Sequence, residues 1–128
     1  MNLLARITKI DASRREVHGV MAEEAVDKSG EIFDYASSKP YIQQWSADAV
    51  TQTALAGQDI SFGNVRSQHN PKIAAGKLVA IDFDDDGKKI PIIAKIVDEA
   101  EWNLRGRTQI FHLTIRVGRE KVMVHSGS

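Results

Sequence analysis

Hydrophobic positions repeat with a period of two at both ends of the chain and with a helical period between them. Leu3, Ala5 and Ile7 alternate with Leu4, Arg6 and Thr8, the pattern of a strand with one buried face. Arg15 to Ala22 repeats it with Val17, Gly19 and Met21 on one face. Asp11-Ala12-Ser13-Arg14 lies between the two runs and carries turn chemistry, so a hairpin is predicted. A second polar turn falls at Asp27-Lys28-Ser29-Gly30-Glu31, where Gly30 is suited to a positive φ. After Ser38 the period changes. Tyr41, Ile42, Trp45 and Ala49 fall at helical spacings, and Pro40 fits the first helical position, where a missing N–H costs nothing. Ser46 offers an alternative start for a short helix over Ala47 to Leu55, and Gly57 is a suitable terminator for either.

From Gly76 the period of two returns. Val79, Ile81 and Phe83 share a face, Asp84-Asp85-Asp86-Gly87-Lys88 supplies a turn, and Ile90 to Val97 is apolar on both faces. The Asp-Gly predicts a hairpin, and the second run reads as a central strand covered on both sides. Pro91 must then sit near its start or at a bulge. Asp98 to Asn103 predicts a short helical turn with Trp102 inward. Thr108 to Val117 predicts a strand with Gln109, Phe111, Leu113, Ile115 and Val117 on one face. The sum is an α+β domain, mostly antiparallel sheet or barrel, with one main helix. At 128 residues a single domain, residues 1–128, is expected.

Composition narrows the function classes. There are no cysteines, which excludes disulfides, thiol catalysis and thiolate metal sites. The start of the chain lacks the apolar run of a signal peptide, and no stretch approaches the length needed to cross a bilayer, so no membrane partner is expected. Basic and acidic side chains balance at 17 each, against a dedicated nucleic-acid binder. The balance is uneven, however: residues 103–128 hold 5 basic and 1 acidic side chains. Arg105, Arg107, Arg116, Arg119 and Lys121 could contact nucleic acid, but charges that deter edge pairing explain them more cheaply.

Candidate chemistry is sparse. Asp82, Asp84, Asp86 and Gly87 match the opening of a calcium loop, yet the twelfth position is Ile93 where a bidentate glutamate is needed, so a solvated hairpin tip is expected and no metal. No two of His18, His69, His112 and His125 have the spacing of a helical metal site. His18 and His112 read as surface residues on strands. Lys95 points out of an apolar strand with its stem along Ile93 and Val97. His69 stands in Gly63-Asn64-Val65-Arg66-Ser67-Gln68-His69-Asn70-Pro71, read as a loop before a core strand, where an imidazole is suited to act as a general base. None of the nine serines has glycine on both sides, and no nucleophile elbow, phosphate loop or dinucleotide fingerprint occurs. No cofactor is expected.

Several of these strings together resemble a known family. They are His18-Gly19-Val20, Asp27 to Tyr35, Lys39-Pro40-Tyr41 with Trp45-Ser46, the N-V-R-x-x-H of Asn64 to His69, Ala74 to Leu78, and Ile96 to Trp102. Over residues 15–102 the chain resembles the XkdF-like group of phage prohead serine proteases. The resemblance implies a fold like that of herpesvirus assemblins and an endopeptidase that cleaves scaffold and capsid proteins inside the assembling procapsid, in the host cytoplasm. By position, His69 would be the catalytic base acting on a serine. The family pattern then expects a glycine-flanked serine soon after Trp102. Here the text runs Asn103 to Gly118 without one, and Thr114 before Ile115 is the nearest substitute. The break coincides with the gain in basic charge, which suggests a shifted frame or a recombined end from about residue 103. The expectation is a protease-like protein lacking its usual nucleophile; the alternative is a non-catalytic capsid-assembly or protein-binding module.

Overall fold

The computed structural model describes residues 1–25, 32–68, 70–108 and 111–118. Seven strands form one antiparallel sheet: β1 (Asn2–Leu4), β2 (Arg6–Asp11), β3 (Glu16–Glu23), β4 (Asn64–Ser67), β5 (Asn70–Ile81), β6 (Lys89–Ile96) and β7 (Leu113–Arg116). Two helices accompany them, α1 (Tyr35–Leu55) and α2 (Glu99–Thr108). The strand order is β1-β7-β4-β5-β6-β3-β2. Its two ends are consecutive pieces of one run of chain, joined by Ala5 alone, so the sheet must curl until its edges approach, giving a half-barrel. Ala5 ties the edges, its N–H donating to the Leu113 carbonyl at 2.9 Å.

The alternation read in the sequence sets what faces inward. Val17 and Met21 on β3, Ile90, Ile92, Ala94 and Ile96 on β6, and Leu113 and Ile115 on β7 are buried in one core. Both predicted hairpins are present, β2–β3 and β5–β6. A bulge between Ile7 and Lys9 changes the alternation of β2, so that Ile7 and Ile10 both pack against the core. Pro91 pairs with Val20 beside a second bulge, on β3, which accommodates a residue without an N–H. The strand β6 is central as expected but covered on one face only: Pro91 and Ile93 are half-buried and Lys95 is exposed.

Three boundaries differ from the sequence reading. The helix α1 begins at Tyr35, so Pro40 is its sixth residue and not its first. Asp34 starts it, its carboxylate accepting from the Ser37 N–H at 3.0 Å. The bond lost at Pro40 would have ended on the carbonyl of Ala36, an exposed residue, where water can take its place. Ser46 caps no second helix. It is buried mid-helix, its hydroxyl donating to the Phe62 carbonyl at 2.8 Å. The helix ends as expected at Gly57, whose φ is 68°.

The segment read as a loop before Gly76 is the hairpin β4–β5, with Val65, Arg66 and Ser67 buried. The polar turn at Asp98 is a full helix through Thr108, which shortens the predicted last strand to Leu113–Arg116. Asp98 holds the start of α2, accepting from the Glu101 N–H at 3.2 Å. The Trp102 ring stacks on Phe111 with centroids 5.8 Å apart. Phe111, Leu113, Ile115 and Val117 are all buried, the inward face read from the sequence. Gln109 and the polar turn containing Gly30 lie outside the described residues. The change of text after Trp102 is therefore no break in the fold: β7 lies between β1 and β4 and completes the core.

Candidate functional site

The first four residues of the N-V-R-x-x-H segment form β4, Asn64–Ser67, which lies between β5 and β7. Arg66 faces Ala74 on one side and Thr114 on the other, and Ser67 faces Asn70 and Leu113. Register shifts lie on both sides of Arg66, and such bulges re-aim side chains. Beyond Ser67 the Gln68 N–H donates to the His112 carbonyl at 2.7 Å. His69, the expected base, lies outside the described residues, as does His125.

Thr114 is half-buried on β7, opposite Leu4 of β1 as well as Arg66. Its neighbours Leu113 and Ile115 are wholly in the core. A hydroxyl held on a strand between two buried aliphatics lacks the open backbone that a serine nucleophile needs. The arrangement does join two segments that are far apart in sequence. The strand before His69 and the strand that holds Thr114, the nearest substitute for the expected serine, are hydrogen-bonded neighbours.

Three serine hydroxyls are engaged elsewhere. Ser46 donates to Phe62, Ser61 to the Gly63 carbonyl at 3.0 Å, and Ser13 to Asp11 at 2.7 Å. Ser67 is buried. Ser29, Ser126 and Ser128 lie outside the described residues. His18 is half-buried on β3 opposite Lys9 and Ile93, and His112 is exposed.

The acidic hairpin between β5 and β6 is occupied by contacts within the chain. Asp84 accepts from the Gly87 N–H at 3.0 Å. Asp85 accepts from the Tyr35 hydroxyl at 2.6 Å and from Lys39 at 2.8 Å. The lysine bond, then the phenol, holds the Asp85 carboxyl below its ordinary range. Burial, then Asp85, pushes the Tyr35 phenol up to about 12. Glu24 accepts from the Tyr35 N–H at 3.0 Å. This cluster fastens the first turns of α1 to the hairpin tip, a role no local motif announced.

Two further constellations were invisible in the sequence, because their members lie far apart along the chain or only a helix aligns them. Arg15 takes a left-handed backbone, φ 53°, in the β2–β3 turn. Its guanidinium donates through both terminal nitrogens to Glu99 of α2 and lies 5.8 Å from the centre of the Trp102 ring. On the inward side of α2, Glu101 and Arg105 form an ion pair at 3.7 Å, and the Glu101 side chain is only 9% exposed. Of the basic residues after 102, Arg105 is thus engaged in the fold, and Arg116 donates to Asn2 at 3.4 Å. Lys95 is exposed on the outer face between Glu16 and Lys77, as its place in the strand predicted.

No protein-family model, curated protein or solved structure matches the chain.

Proposed function

We propose that the chain is a phage prohead-protease-like protein that keeps an assemblin-like framework and lacks the usual serine nucleophile, with capsid or scaffold proteins as its partners in the assembling procapsid. The observation that carries this reading is the pairing of β4 with β7. It sets Asn64–Ser67, the strand before His69, beside the strand that holds Thr114, the nearest substitute for the expected serine. The curled antiparallel sheet is compatible with the expected barrel. In an active enzyme His69 would take the proton of the attacking hydroxyl, and the nearest substitute for the expected serine is Thr114.

Peptidase assay on scaffold and capsid proteins tests the reading. The expected result is no turnover above that of His69→Ala. Turnover that falls at least about a hundredfold in His69→Ala and is lost in Thr114→Ala would overturn the lack of a nucleophile. The encoding nucleotide sequence tests how the end arose: a shifted frame requires a glycine-flanked serine in one of the two other frames after the Trp102 codon.

A second reading, a non-catalytic binding module, is favoured by the outer edge of β2. The strand ends the sheet and pairs with β3 alone among the described strands. An extended segment of a partner could add there as a further strand. Co-sedimentation with procapsids that survives His69→Ala supports this reading, and its absence removes it.

A further inference from the structure

Beside the β2–β3 turn lies an open groove of about 470 Å³, lined by Ser13, Arg14, Arg15, Glu16 and Lys95. Three of its five residues are cationic, and they differ in how they are held. Arg15 is spent on Glu99 and Trp102. Arg14 is 73% exposed, and its nearest carboxylate, Asp11, stands 4.0 Å away, beyond hydrogen-bond reach. Lys95 faces Lys77 across β5–β6 and Glu16 across β3–β6, so a like charge and an opposite one stand at its two sides. Lys77 leans to Asp59 at 3.7 Å, while Lys95 has no ion pair among the described residues.

The backbone adds a second indication. A left-handed position in a hairpin turn favours glycine or asparagine, yet here it holds Arg15, fixed by α2. Strained positions of this kind gather where a side chain must be presented in one place. Arg15 is clamped to α2, and Arg14 and Lys95 line the same groove.

We propose that this groove binds the acidic side chain of an extended polypeptide segment. Arg14 and Lys95 donate to its carboxylate, and Glu16 accepts from a backbone N–H of the same segment. Glu16 is what selects a peptide over a free oxyanion, since it repels a ligand that has no donor to offer. The groove is open and its charges are exposed, so the binding it supports is weak. The inference does not depend on the protease reading, because it requires no chemistry at His69 or Thr114.

The test is an amide-shift titration of the intact chain with a blocked Gly-Glu-Glu-Gly peptide, its Gly-Gln-Gln-Gly counterpart, and inorganic phosphate. The expected result is saturable shifts at residues 13–16 and 95 with the glutamate peptide only. They should weaken at least tenfold in the Arg14→Ala/Lys95→Ala double variant, whose exposed sites leave the fold intact, and fade with added salt. No shifts with the glutamate peptide, equal binding of the glutamine peptide, or binding untouched by the double variant would overturn the proposal. Phosphate binding as tightly at the same residues would overturn the choice of a peptide. Tighter phosphate binding in Glu16→Gln, with peptide still preferred by the parent chain, supports the role given to Glu16.

Discussion

Single side chains here are held by partners far away along the chain, and their titration and packing give direct expectations. Gly76 lies where a Cβ would stand 2.1 Å from the Lys95 carbonyl oxygen, a backbone atom that cannot step aside. Gly76→Ala should therefore cost about 3 kcal/mol, read from urea unfolding. Asp85, Asp34 and Glu99 all have carboxyls lowered below their ordinary values, by Lys39, by Ser37 and by Arg15 respectively. A folded pKa below the unfolded one means stability that is complete above about pH 4 and is lost as pH falls through the folded value. Tyr35 has the opposite sign of shift, so its contribution is complete below about pH 10 and is lost as pH rises toward 12. Melting temperatures across both limbs check this. Asp85→Asn should make the acid limb shallower and leave most of the alkaline limb, since burial is the larger cause of the raised Tyr35 pKa; an unchanged acid limb in that variant would contradict the Lys39–Asp85 pair.

At the level of elements, α1 is the instructive case. Its core side shows buried Tyr35, Ile42 and Ser46 with half-buried Ser38, Trp45, Ala49, Val50 and Thr53, so hydroxylic residues interrupt the apolar positions. For that reason the first turn carries no periodic signal, and the apolar pattern begins only after Pro40. The start was legible another way, in Asp34 capping Ser37. Pro40→Ala should stabilise the fold by about 1 kcal/mol. It restores one helical hydrogen bond, while the unfolded chain gains freedom that offsets part of the benefit. Ser46→Val should cost about 2 kcal/mol, because the Phe62 carbonyl loses its donor in a buried place. Thermal melts of the two variants should move in opposite directions. The length of α2 escapes the sequence pattern for a related reason: its inward positions are Glu101, Trp102 and Arg105, and two of the three are charges, which pair with each other.

On the scale of the whole molecule, residues 103–118 separate two views of the chain. Read against the family pattern, they are a divergent end. In the fold they are half of α2 and the strand that joins β1 to β4. Ile115→Ala should accordingly destabilise the entire domain by about 3–4 kcal/mol in one cooperative transition, whereas an appended tail would tolerate it. The sequence by itself determined the alternation of inward and outward residues, both hairpins with Asp or Gly in their turns, and the end of α1 at Gly57. Each of these follows from local rules of backbone geometry acting over a few residues. Only the tertiary structure decided that β4 is a buried strand and that it lies against β7. It alone placed Arg15 with Glu99 and Tyr35 with Asp85. Pairing between distant segments depends on how a curled sheet closes on itself, and that is set by the burial of all seven strands together, not by any window of neighbouring residues.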